Sequence, residues 1–222
     1  MNAIVVAVDG PSGSGKSSTA RGVATALGWP YLDTGAMYRA MTWAVLESGA
    51  DLDDAAAIAK AAADVDVVVG TDPSAPVVHA DGTDVSGPIR GPEVTGAVSA
   101  VSAVAEIRER LVAQQRAVIA AAEGGIVVEG RDIASVVAPD APVKVYLIAD
   151  AAARAARRTA EQGGDSAQVA ATEADLARRD ALDSGRAASP LKQADGATVV
   201  DTTHLTLDEV VGEIVRMVEA VR

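Results

Sequence analysis

Residues 10–17 read Gly10-Pro11-Ser12-Gly13-Ser14-Gly15-Lys16-Ser17, a complete G-x-x-x-x-G-K-[ST] pattern. Glycines at these spacings let the backbone curl until successive N–H groups point into one concavity. A helix that begins there adds its positive end. The chemistry this predicts is the binding of a nucleoside triphosphate, with Gly10 through Ser18 as the ATP-binding residues. Lys16 is expected to reach the β- and γ-phosphates and the Ser17 hydroxyl to ligate Mg²⁺. The flanks agree, because the apolar run Ile4–Val8 precedes the pattern and the helix-compatible stretch Ser17–Leu27 follows it.

Further charges sit where such a loop could use them. Asp33-Thr34-Gly35-Ala36-Met37-Tyr38-Arg39 follows a short second strand, Tyr31-Leu32. Asp33 or Thr34 can cap the next helix, and Arg39, a turn and a half along it, is close enough to grip an anion. Glu129-Gly130-Arg131-Asp132 follows the apolar run Ile126–Val128. Ligands of doubly wound sheets bind beyond the carboxyl ends of the strands, so this pair offers a phosphate donor beside a hydrogen-bond acceptor. A plain surface ion pair is the competing explanation. Arg154, Arg157, Arg158, Arg178, Arg179 and Arg186 crowd into 33 residues of a chain whose net charge is −12. Local enrichment against that background favours phosphate recognition. Arg110 and Arg116 read as a solvated face of a helix over Val94–Ala122, and His79 and His204 as surface residues.

The elements that must position these groups alternate. Strands at Ile4–Val8, Ile126–Val128, Val143–Ile148 and Thr198–Val200 are interleaved with helices at Ser17–Leu27, Thr34–Gly49, Ala55–Ala63 and Leu207–Arg222. That alternation predicts a parallel sheet covered on both faces. Two stretches depart from it. Residues 64–93 are strand-like, with Asp81-Gly82 as a hairpin signal, and predict a small antiparallel insert. Residues 151–186 are rich in Arg and Ala around Gly163-Gly164 and predict two helices forming a lid. The chain is therefore expected to be one unit over 1–222, with a core of 1–63 and 94–222.

Composition narrows the function. The 222 residues include no Cys, which excludes disulfides and Cys-based metal or redox sites, and no Phe, so the core must be aliphatic. A net charge of −12 argues against a nucleic-acid-binding surface. With no signal-like or membrane-length apolar run, a soluble, cytoplasmic monomer acting on small nucleotides is expected. A GTPase needs an Asn-Lys-x-Asp reader, and the one Asn is Asn2. An adenylate or other small-molecule kinase, and a non-catalytic nucleotide-binding module, remain open at this level.

Taken in order, these motifs resemble the bacterial cytidylate kinase family over nearly the whole chain. The carriers are Asp9 through Ser17, Asp33 through Arg39, Asp84-Val85-Ser86-Gly87-Pro88-Ile89-Arg90 and Gly130-Arg131-Asp132. Arg179-Asp180, Asp183, Arg186 and Ala188-Ser189-Pro190-Leu191 complete the set. The resemblance implies a three-layer α/β P-loop NTPase fold with a monophosphate-binding insert and an Arg-bearing helical lid. It implies ATP-dependent phosphorylation of CMP and dCMP with Mg²⁺. Thr34, Ser99, Arg108 and Asp132 would surround the cytosine. Arg39, Arg131 and Arg186 would hold the monophosphate, with Arg179 and Asp183 near the sugar. Lys16, Arg154, Arg157 and Arg158 would act on the transferring phosphoryl group. Two positions depart from the usual pattern: Glu129 stands where many relatives have Asp, and Thr34 where many have Ser.

Overall fold

The structure, a computed structural model, describes residues 3–161, 163–186 and 189–222. Strand β1 (Ile4–Asp9) sends Val5 and Ala7 into one hydrophobic core and Val6 and Val8 into another. A strand buried on both faces has to be apolar throughout and central in its sheet. The sheet runs β2 (Tyr31–Asp33), β6 (Gly125–Glu129), β1, β7 (Val143–Ile148), β8 (Thr198–Asp201), with every pairing parallel. Helices α1 (Lys16–Leu27) and α8 (Leu207–Glu219) cover one face through Val23, Val210, Ile214 and Val218. Helices α2 (Thr34–Glu47), α3 (Ala55–Ala62), α4 (Pro92–Val101) and α5 (Ala105–Ala121) supply Met37, Met41, Ile58, Val98 and Leu111 to the other core. The chain leaves β1 toward β2 on one side, whereas β6 connects across β1 to β7. The loop after β1 thus sits where the connections diverge, the place such sheets use for ligands.

Beside α2 lies a separate antiparallel sheet of β3 (Val67–Val69), β4 (Val78–Ala80) and β5 (Thr83–Asp84). Its tight turn is Asp81-Gly82, with φ of 49° and 75°. Positive φ at both central positions matches the right-handed twist of the flanking strands, which is why Asp-Gly signals a hairpin. After β7 come α6 (Ala151–Glu161) and α7 (Val169–Gly185), packed on each other. Gly163, at φ 70°, closes the end of α6 by donating its N–H to Ala160 O at 3.1 Å. No described helix is long and apolar enough to cross a membrane.

Two expectations change here. The helix expected over Val94–Ala122 is two helices, broken at Ser102-Ala103-Val104. No Gly or Pro marks the break. The Ser102 carbonyl left free there accepts from Arg108 Nη1 at 3.1 Å, so a tertiary contact sustains it. Arg110 is not a solvated charge, whereas Arg116 is exposed as expected. Arg116 donates to the carbonyls of Val136 and Val137 at 2.7 and 3.2 Å. Arg110 donates to Ala62 O and Ala63 O, both at 2.8 Å, and to Val65 O. Those carbonyls lie at the end of α3 and in the turn that leads into β3, so Arg110 fastens the root of the small sheet to α5. Arg110→Ala should therefore destabilise the protein by about 1.5–3 kcal/mol, the range for hydrogen bonds to charged groups. Faster amide exchange across Val67–Ala80 in the variant would report the loosened root, and unchanged exchange there would count against it.

Candidate active site

The loop after β1 takes a shape that its glycines make possible. Gly10 has φ +147°, and a Cβ on it would fall 2.2 Å from Leu147 O. Gly15, at φ 85°, is the N-cap of α1 and leaves the first N–H groups of that helix without a side-chain cap. A concave set of free amides at a helix N-terminus is an anion site. Lys16 Nζ lies inside the concavity, 2.7 Å from Pro11 O. Burial pushes the Lys16 ammonium below its usual range and Arg131 adds to the effect, while Glu129 and Asp9 oppose it.

Against the start of α1 stands Glu129, the last residue of β6 and only 3% exposed. Ser17 Oγ donates to Glu129 Oε2 at 2.9 Å, and the Tyr31 hydroxyl donates to Oε1. Burial, with Asp33 nearby, pushes the Glu129 carboxyl above its ordinary range. A hydroxyl and a carboxylate in contact are hard oxygen donors. They suit Mg²⁺, which takes one or two protein ligands and completes its shell with phosphates and water. Among the described residues no cluster of three or more His, Asp or Glu offers an all-protein metal cage. The Ser17–Glu129 pair supplies the one or two oxygen ligands that fit a metal held jointly with a nucleotide's phosphates.

On the other side of the loop, one cleft runs from Ser12 to the Arg108–Asp132 pair. Both partners of that pair are buried, and the Arg108 guanidinium also lies 5.2 Å from the Tyr38 ring centroid. Thr34, Ser99 and Ser102 line the same end. Thr34 Oγ1 donates to Glu129 O at 2.7 Å, tying the start of α2 to the end of β6. Asp9 anchors this end to the loop. Its buried carboxylate accepts the N–H groups of Ile133 and Ala134 at 2.9 and 2.8 Å, immediately after Asp132.

Between the two ends the cleft is lined by Arg39, Arg131, Arg158, Arg179 and Arg186. Arg39 donates to Ile89 O and Thr95 Oγ1 at 2.8 and 2.9 Å. Arg131 Nε donates to Asp183 Oδ2 at 3.2 Å, and Arg186 Nη1 to Ser102 Oγ at 3.3 Å. Burial first, then the Arg179 and Arg158 charges, push Arg39 down to about 9. Arg179 and Arg186 are lowered in the same direction, again by burial first. Guanidinium groups remain charged at neutral pH, and an anion in the cleft would relieve both the cost of burying them and the repulsion among neighbouring arginines.

The three arginines expected at the transferring group occupy different places. Arg158 lines the cleft. Arg154 donates to Ser12 O at 3.0 Å and pairs with Asp180 at 2.5 Å. Arg157 turns to the opposite side of the loop, donating to Thr202 Oγ1 at 2.9 Å and Thr202 O at 2.5 Å. There a second, more apolar cleft is lined by Ser14, Ser18, Leu205, Leu207 and Val210.

Several of these residues escaped the reading of the sequence. Tyr31 looked like strand filler. Its hydroxyl is informative only because β2 and β6 pair with Asp33 opposite Glu129. Asp9 and Asp180 stood inside the motifs with no partner to suggest a task. The loop after β8 carried one usable signal, its place at the carboxyl end of a parallel strand.

Comparison with known proteins agrees with this geometry. A cytidylate kinase family profile matches residues 6–220. A protein named cytidylate kinase from Streptomyces griseus is 55% identical over 221 residues, covering 100% of this chain and 95% of that one. Another from Nocardia farcinica is 56% identical over 217 residues, covering 97% and 93%. Among solved structures, an uncharacterized protein from Eubacterium ventriosum superposes with a TM-score of 0.53 at 12% identity, over 98% of this chain and 99% of that one. That last likeness is one of fold alone. With the profile spanning nearly every residue and relatives more than half identical along their length, the chain belongs to the cytidylate kinase family.

Proposed function

We propose that the protein transfers the γ-phosphoryl group of ATP to CMP and dCMP, giving ADP with CDP or dCDP. The observation that carries this reading is the single cleft joining Ser12 of the phosphate loop to the buried Arg108–Asp132 pair, lined with arginines between. That is the sequence of groups a nucleoside monophosphate needs, with a base reader at one end and its phosphate facing the donor at the other.

The residues divide the work by charge. The loop amides and Lys16 hold the β- and γ-phosphates, and the apolar cleft beside Arg157 suits the donor nucleoside. Ser17 and Glu129 would hold Mg²⁺, which when bound neutralises charge shared between the β- and γ-oxygens. Arg39, Arg131 and Arg186 orient the acceptor phosphate, with Arg179 and Asp183 toward its sugar. Arg158 on α6 offsets the charge that develops in transfer and helps keep water out, while Arg157 faces the donor cleft and Arg154 holds the loop at Ser12. The acceptor oxygen is already anionic, so no general base is required. Asp132, with Arg108, Ser99 and Thr34 around it, accepts from the cytosine N4 amine. Uracil would set a carbonyl against that carboxylate, a mismatch that disfavours UMP.

ADP release measured with CMP, dCMP, UMP, AMP and no acceptor tests the assignment. Turnover with AMP alone would favour an adenylate kinase, and none with any acceptor a binding module. Lys16→Ala should lower turnover by at least ~10²-fold, as expected for a lost positioned charge, with the melting temperature little changed. Near-normal turnover would move the active site elsewhere. Asp132→Asn, which keeps the side-chain volume beside Arg108, should narrow the CMP/UMP ratio of kcat/KM by about 1–3 kcal/mol. Equal losses on both substrates would make Asp132 structural. Arg158→Ala should chiefly depress kcat, whereas a rise in KM for ATP alone would restrict Arg158 to ground-state binding.

A further inference from the structure

We propose that Asp180 is a positioning residue: with Arg154 it clamps the backbone of Ser12 and so sets the monophosphate-side residues of α7 against the phosphate loop. The inference rests on the reading above and goes beyond it, because Asp180 is not among the residues lining the cleft.

Ser12 N donates to Asp180 Oδ1 at 3.2 Å. Arg154 Nη1 donates to Ser12 O at 3.0 Å and to Asp180 Oδ2 at 2.5 Å. One ion pair, made between α6 and α7, therefore holds both backbone polar groups of a single loop residue. Its side chains are 13% and 18% exposed, so the pair is screened less than a surface bridge. The loop also presses on α6 at Gly13, where a Cβ would lie 2.9 Å from Arg154 O. The same stretch of α7 carries Arg179 next to Asp180 and Asp183 one turn on, and Arg186 caps it. Asp183 takes Arg131 Nε, so a shift of α7 at Asp180 disturbs a line of groups reaching across the cleft. Arg154 is thereby occupied by loop and lid together, and its effect on transfer runs through the shape of the loop.

The test compares wild type, Asp180→Ala and Asp180→Asn. The Asn variant keeps an acceptor for the Ser12 N–H and drops the charge facing Arg154. Two readouts are taken: amide exchange of residues 10–15 in the ligand-free protein, and the calorimetric Kd for CMP without donor nucleotide. Asp180→Ala should speed exchange at Ser12 by about tenfold or more and weaken CMP binding about tenfold, with Asp180→Asn between. Ser12 exchange unchanged in both variants, or slowed, overturns the clamp. So does wild-type CMP affinity in a variant whose loop has loosened. If Asp180→Ala does not fold, the Asn variant decides by the same two readouts. Failure of the wild type to bind CMP would count against the proposed function, while Ser12 exchange would still judge the clamp.

Discussion

Like charges crowded into one cleft are the constraint that the rest of the structure has to meet. Arg39, Arg108, Arg131, Arg158, Arg179 and Arg186 line a single cavity, close to the buried Lys16. Left alone, such groups would push the surrounding elements apart. Several are instead held by something rigid: Arg108 by Asp132 and the Ser102 carbonyl, Arg131 by Asp183, Arg39 by the Ile89 carbonyl. The partners neutralise part of the charge and leave the rest facing inward. The cleft is thus built for an anion before one arrives, and that preorganisation is what phosphoryl transfer requires of a protein.

Rigidity comes from the two apolar cores that sandwich the sheet. Every strand end that bears a site residue, Asp9, Asp33 and Glu129, is the carboxyl end of a parallel strand. Backbone ladders on both sides of β1 and β6 fix these ends relative to one another. Asp9 extends that stiffness past the sheet by capping the turn that follows Asp132. The roots of the phosphate loop and of the segment that carries Asp132 are one hydrogen-bonded unit.

The appended parts are also fastened through charged side chains. Arg110 ties the small sheet to α5 through backbone carbonyls, and the Arg154–Asp180 pair ties α6 and α7 to the loop. The small sheet also buries Val67, Val78 and Ala80 in the core that α2 shares, whereas the join of α6 and α7 to the loop is a short-range, directional polar tether. Elements held that way open at lower free energy than a core strand, which suits parts that must admit and release nucleotides.

Much of this was legible in the residues themselves. The phosphate loop, the alternation of strands and helices and the Asp81-Gly82 hairpin follow from local rules of backbone conformation and hydrophobic period, which act within a few residues. Arg131 and Asp132 were findable because the end of an apolar strand is a predictable address. Pairings between residues far apart in the chain were not. Nothing local in Ser102-Ala103-Val104 breaks a helix, and Arg110 on its own is indistinguishable from a solvated charge. Tyr31 met Glu129, Asp180 met Ser12, and Arg157 turned away from Arg158 only once the elements had packed. Sequence alone determined which chemical groups are available and the local shape of the loop that binds phosphate. Tertiary structure decided which charges face one another, because a side chain's partner is set by the packing of distant elements and by no rule of spacing along the chain.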